Sequence, residues 1–178
     1  ITVVLGGDMG ENGWRVLGTS LLLTGGVVLG FKGNGRLGDN TTLSRVVPTA
    51  VLGGHVFTAI TAGGGHSCGL RNDGAILCWG AGVSGRLGTG TTAEQRQPAL
   101  VNAPAGTTFT AVSAGGAHTC AITTAKSVLC WGSGASGVLG NGATTQQNSP
   151  VAAASTELFA AVAAGVAHTC GTTVAGAL

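Results

Sequence analysis

The chain has 178 residues and a mass of 17.1 kDa, a length that suits one domain of ordinary size. Charged residues make up 8%, against roughly 25% in an ordinary soluble domain, and a mean hydropathy of +0.43 excludes a solvated disordered tail. The 34 glycines do not fall at every third position, which excludes collagen, and the net charge of +2 comes from eight basic and six acidic residues with no basic stripe, which argues against nucleic acid as a partner.

Ile1 stands where an initiator Met would, so the chain reads as a processed or partial product. Residues 1–14, Trp14 included, align with nothing later. The uncharged, leucine- and valine-rich run Val16 to Phe31 holds four glycines and is shorter than the roughly 20 residues of a spanning helix, and no membrane span is expected. A signal-peptide core is one reading of that run. Two buried strands around a Thr24-Gly25-Gly26 turn is the other, and the repeat phase favours it.

The chain is a repeat with a period of 50 to 52 residues. His66-Ser67-Cys68 recurs as His118-Thr119-Cys120 and His168-Thr169-Cys170, and Cys78-Trp79-Gly80 as Cys130-Trp131-Gly132. Gly35-Arg36-Leu37-Gly38, Gly85-Arg86-Leu87-Gly88 and Gly137-Val138-Leu139-Gly140 are in phase, as are Pro48, Pro98 and Pro150. Residues 66–98 laid on 118–150 give 15 identities in 33 positions. Each unit reads as four short strands: Phe57–Ala62, His66–Leu70, Ala75–Trp79 after an Asn72-Asp73-Gly74 turn, and a short strand opened by Pro98. Four strands at this period are a β-propeller blade, so the fold is expected to be all-β, with about three to three and a half blades. Residues 1–178 then form a single repeat domain. Residues 1–32 are a divergent first blade, in which Val28-Leu29 replaces Cys-Trp, and 33–178 are recognisable repeats, the last one truncated.

These segments, with their His-Ser/Thr, Asp-Gly, Trp-Gly and Gly-x-Leu-Gly-x-Gly signatures from about Gly33 onward, resemble the regulator-of-chromosome-condensation repeat family. The likeness is to the cysteine-bearing form common in bacterial surface and secreted proteins. The resemblance implies a seven-bladed propeller and protein recognition through loops on its faces. It does not imply one activity: members include an exchange factor for a small GTPase and a secreted inhibitor of β-lactamases.

Cys68 and Cys78 lie symmetrically about Asp73, and Cys120 and Cys130 about Ala125, so each pair faces across an antiparallel hairpin. A disulfide in each hairpin is the preferred reading and points to an oxidising compartment, extracellular or cell-surface. Free buried thiols and half of a zinc site are the alternatives. Cys170 has no partner, because the third hairpin is cut at its turn; further blades or a second copy are then needed to cover the open end.

His66, His118 and His168 either ring one face for anion or metal contact or, in the preferred reading, pack beside their own glycine turns and bond backbone groups of the next blade. His55 is out of phase and reads as an exposed loop residue. Trp79 and Trp131, each before a glycine (Gly80, Gly132), should fill space between blades. Gly85–Gly90 lacks the Lys-Ser/Thr and helix of a P-loop. The acids Asp8, Glu11, Asp39, Asp73, Glu94 and Glu157 are isolated, so no catalytic constellation, cofactor or metal is expected. The function that follows is a non-enzymatic protein-interaction module, with Val83, Ser84, Glu94, Gln95, Arg96, Gln146, Gln147 and Asn148 as candidate contact-loop residues. A self-assembling structural component, binding further copies of itself, is the alternative. Guanine-nucleotide exchange is disfavoured, because the paired cysteines point to an oxidising compartment.

Overall fold

The structure, a computed structural model, describes residues 33–176 in full and the backbone of 5–6 and 27–30. The Thr24-Gly25-Gly26 turn, Trp14 and most of the Val16–Phe31 run lie outside the described residues.

Two blades are complete. One runs β4 (Phe57–Ala62), β5 (His66–Arg71), β6 (Ile76–Gly80) and β7 (Gln95–Leu100). The next runs β8 (Phe109–Ala114), β9 (His118–Thr123), β10 (Val128–Gly132) and β11 (Gln147–Ala152). Within each blade the strands pair in chain order, all antiparallel. Before them lies a three-stranded sheet of β1 (Leu5–Gly6), β2 (Val27–Gly30) and β3 (Arg45–Ala50), in which β1 runs parallel to β2. After them lies the pair β12 (Phe159–Ala164) and β13 (Thr169–Thr173).

The hairpins form for local reasons. Gly74 takes φ +81° at the turn between β5 and β6, and Asp73 Oδ1 accepts the Ala75 N–H at 3.1 Å. In the next blade Lys126 occupies the corresponding left-handed position at φ +64°. There Thr123 Oγ1 accepts the Ser127 N–H at 3.2 Å in place of the aspartate.

The fourth strand departs from the sequence expectation. It begins at Gln95, three residues before Pro98, and its counterpart begins at Gln147, before Pro150. Pro98 does not open the strand. It sits where the register breaks, between the pairs Cys78↔Ala99 and Gly80↔Gln95, so its missing N–H breaks no ladder bond.

Side chains alternate across each strand, so each blade packs a different set on each neighbour. Cys68, Leu70, Ile76, Cys78 and Leu87 form one buried layer with Phe109, Ala121, Leu129 and Trp131 of the following blade. Trp79 packs backward on Leu37, Val51 and Phe57. Cys120, Ile122, Val128, Cys130 and Leu139 meet Phe159 and Val162 in a third layer. The first strands of successive blades also touch. Ala114 N–H donates to Thr61 Oγ1 (3.1 Å) and Ala164 N–H to Ser113 Oγ (2.9 Å). The glycine turns continue the series, with Gly64 N–H bonding Gly115 O (3.1 Å) and Gly116 N–H bonding Gly165 O (3.2 Å).

Candidate functional site

The glycine turns that precede His66, His118 and His168 lie side by side, each hydrogen-bonded to the next. His66 packs against its own turn, where a Cβ at Gly63 would lie 2.6 Å from its Cε1. The expectation that the ring bonds backbone of the next blade is corrected: His66 Nε2 meets a side chain, Thr119 Oγ1, at 2.7 Å. Thr119 Oγ1 in turn donates to Arg86 O at 3.0 Å. Its hydroxyl proton is thereby committed, so it accepts from His66, which carries its proton on Nε2. The same relay recurs one blade on, from His118 Nε2 to Thr169 Oγ1 (2.9 Å) to Val138 O (2.8 Å). Sequence reading noted the Ser/Thr after each histidine but assigned it no role. The third histidine, His168, is exposed. His55 is half-buried rather than exposed, in its loop beside the Phe57 ring (5.8 Å).

Burial, then the charges of Arg86, His118 and Arg36, push the His66 imidazole from 6.5 down to about 3. Burial first, then His168, lowers His118 as well. Both rings are therefore neutral hydrogen-bonding groups at ordinary pH. Among the described residues no three His, Cys, Asp or Glu side chains are grouped to hold a metal ion.

Two arginines share this face. Arg86 Nη1 approaches the Gly65 turn and donates to Gly116 O at 3.3 Å, while its Nε donates to Val83 O at 2.8 Å. Arg36 lies beside Gly80, and its Nε donates to Gly33 O at 3.3 Å. It is the Arg36 backbone that lies against Gly80, while its guanidinium stays over Gly33; the two charges are near enough that each is felt at His66. Burial, then Arg36, lowers the pKa of Arg86. Arg45, Arg71 and Arg96 pair with Asp39, Asp73 and Glu94, whereas Arg36 and Arg86 pair with no carboxylate among the described residues. Their phase was legible in the sequence, but the lack of an acid partner among the described residues was not.

Cys68 is bonded to Cys78 and Cys120 to Cys130, each pair directly opposite in the ladder with Cα atoms 4.1 Å apart. Cys170 is free and exposed. Trp79 and Trp131 are fully buried at the joints between blades, and Gly80 and Gly132 follow them at φ +108°. The eight contact-loop residues separate into two groups. Val83 and Ser84 lie on the one-turn 3₁₀ helix Val83–Gly85, and Glu94 and Gln146 lie in loops. Gln95, Arg96, Gln147 and Asn148 are not loop residues but open the fourth strands. Arg96 O accepts from Asn40 (2.9 Å) and Asn148 O from Gly90 (2.8 Å), so these two hold blades together.

Repeated four-stranded antiparallel blades, joined through buried tryptophans, define a β-propeller repeat protein. The regulator of chromosome condensation (RCC1) repeat model matches residues 73–122 and 127–171, and a second model of the same repeat matches 57–86 and 109–138. The chain belongs to the RCC1 repeat family. It is 34% identical over 125 residues to human E3 ubiquitin-protein ligase HERC2, covering 68% of this chain and 3% of that protein. To the Arabidopsis thaliana ultraviolet-B receptor UVR8 it is 33% identical over 123 residues, covering 68% of this chain and 28% of the receptor. The chain thus spans a minor part of the length of these relatives. Its fold superposes on yeast RCC1 (Prp20), solved bound to Kap60, with a TM-score of 0.71 at 19% identity, covering 83% of this chain and 37% of that one. Human WBSCR16 gives 0.69 at 23% identity, covering 79% and 37%. This is a partial propeller, and none of the helices among its described residues is long and apolar enough to cross a membrane.

Proposed function

We propose that the chain is a non-enzymatic protein-recognition module whose histidine face receives an acidic segment of its partner. The observation that carries this reading is the pair Arg36 and Arg86. Both are part-buried and satisfied only by carbonyls, and no carboxylate of the described chain neutralises either. Two adjacent cations repel each other and attract a carboxylate-bearing partner that separates them. That yeast RCC1 was solved bound to the protein Kap60 supports a protein as the class of partner. Two hairpin disulfides support an oxidising compartment, extracellular or cell-surface, and a cysteine-bearing repeat of the bacterial surface type.

The test is affinity capture from an extracellular fraction, then titration of the purified binder against the native chain and the Arg36→Glu/Arg86→Glu variant. Saturable binding that weakens about tenfold or more in the variant, and with added salt, is expected. Binding indifferent to the double change discards this face, and the lack of any saturable binder discards the recognition reading. A self-assembling component is the second reading, favoured by the exposed apolar side chains of Val46 and Val47 on β3 and Leu100 on β7. It requires a rise in particle mass with concentration in sedimentation.

A further inference from the structure

The loop that carries Arg36 also carries Asn34 and Gly35. Asn34 is exposed in the left-handed region at φ +55°, and its carboxamide makes no hydrogen bond among the described residues. Its in-phase counterparts are serines, Ser84 at φ +63° and Ser136 at φ +59°, so the turn itself does not require an amide at this position.

Packing fixes the next residue as glycine. Gly35 is buried at φ +64°, and a Cβ there would lie 2.5 Å from Arg96 Cα on the fourth strand of the following blade. Arg36 N–H closes the turn on Gly33 O at 3.4 Å, and the Gly35 nitrogen donates no backbone bond among the described residues. Asparagine is a thermolabile residue, and a following glycine makes it most prone to cyclise because no side chain shields the attacking nitrogen. The other such pair among the described residues, Asn141-Gly142, is tied back: Asn141 Oδ1 accepts the Ala143 N–H at 3.1 Å.

A carboxylate created at position 34 falls beside a cation that lacks one. Arg36 Nε donates at 3.3 Å to the carbonyl of the peptide joining Gly33 to Asn34, and its Nη2 is the nearest atom, at 3.8 Å, to a Cβ placed on Gly33. Arg36 pairs with no acid among the described residues. We propose that Asn34 is a deamidation site whose product supplies that acid, so that the recognition face loses one of its two cations as the protein ages. The Gly35 nitrogen attacks Asn34 Cγ. The new N–C bond forms as the carboxamide C–N bond breaks, and ammonia leaves with the Gly35 amide proton. Water then opens the succinimide at either carbonyl, leaving an aspartyl or isoaspartyl carboxylate. The resulting ion pair withdraws Arg36 from an acidic partner. That last consequence rests on the acidic-segment reading above; the modification and the ion pair do not.

The test incubates the full, disulfide-bonded chain at mildly alkaline pH and maps deamidation by peptide mass spectrometry, with fragmentation that separates aspartyl from isoaspartyl products. Conversion at Asn34 about tenfold or more faster than at Asn141 is expected. Asn34→Ser, which copies the in-phase residues, should lose that product alone. Conversion at Asn34 that is equal to or slower than at Asn141 overturns the proposal.

Asn34→Asp reports the ion pair without any partner. NMR titration should find the new carboxyl ionising below the ordinary carboxylate range, and adding Arg36→Gln should return it to that range. An ordinary titration while Arg36 is present overturns the claim that deamidation neutralises this cation. Binding by the Arg36→Glu/Arg86→Glu variant is a separate readout, so failure of the acidic-partner reading and failure of this site are told apart.

Discussion

Gly88 and Gly140 occupy equivalent positions with nearly the same backbone, φ +68° and +64°, but a Cβ on Gly88 would lie 2.7 Å from Trp131 Nε1, whereas one on Gly140 would meet nothing nearer than Ala153 Cβ at 3.8 Å. Replacing each by Ala separates two costs that usually arrive together. The left-handed conformation costs an alanine about 1 kcal/mol at either site. At Gly88 the new Cβ also falls 2.7 Å from Nε1 and 2.8 Å from Cδ1 of the fully buried Trp131. Relieving that overlap displaces an indole packed among Leu87, Leu129 and Phe109, which adds about 1–3 kcal/mol. Gly88→Ala should therefore lose about 2–4 kcal/mol and Gly140→Ala about 1 kcal/mol. Urea unfolding under non-reducing conditions reads the difference as a shift in midpoint at constant slope. Losses that agree within about 0.5 kcal/mol would refute the claim that the joint between the two complete blades is held by the close packing of Trp131 over Gly88.

Stability should fall as pH drops below about 6.5, because the unfolded chain binds a proton at His66 that the folded chain refuses until about pH 3. The slope between pH 6.5 and 4.5, above the carboxylate range, should flatten in His66→Gln; an unchanged slope would assign it to other groups. Lys126→Gly should stabilise by about 1 kcal/mol by relieving the left-handed backbone at φ +64°, while Gly74→Ala at the matching turn should destabilise, since its Cβ would meet Thr108 Cβ at 2.8 Å. A thermal melt of each variant gives the sign, and a destabilised Lys126→Gly would contradict the turn assignment. Replacing Cys120 and Cys130 together by Ala should cost about 2–3 kcal/mol through the lost cross-link, read from the denaturation midpoint; a loss close to zero would mean that the hairpin is held without its disulfide.

Much of the fold was legible in spacing alone. The cysteines on either side of Asp73 place β5 opposite β6 because an antiparallel hairpin pairs positions equidistant from its turn, and Cys68 does lie opposite Cys78. The recurrence of His-Ser/Thr-Cys and Cys-Trp-Gly set the blade period and the family for the same reason: each is local to one supersecondary unit. The fourth strand was misplaced because proline was read as a strand opener, whereas a register break lets Pro98 lie within the strand. Gln95, Arg96, Gln147 and Asn148 moved from loop to strand as a result.

Contacts between units are a different matter, since they depend on the angle at which one blade meets the next. No spacing states that His66 reaches the hydroxyl of Thr119, that Arg36 and Arg86 pair with no acid among the described residues, or that Val138, Phe159 and Thr169 line one groove. Pairing within a blade is a property of the chain's local register, and so the sequence determined it. The meeting of side chains from blades some 50 residues apart is set by how twisted sheets stack, and only the tertiary structure decided it.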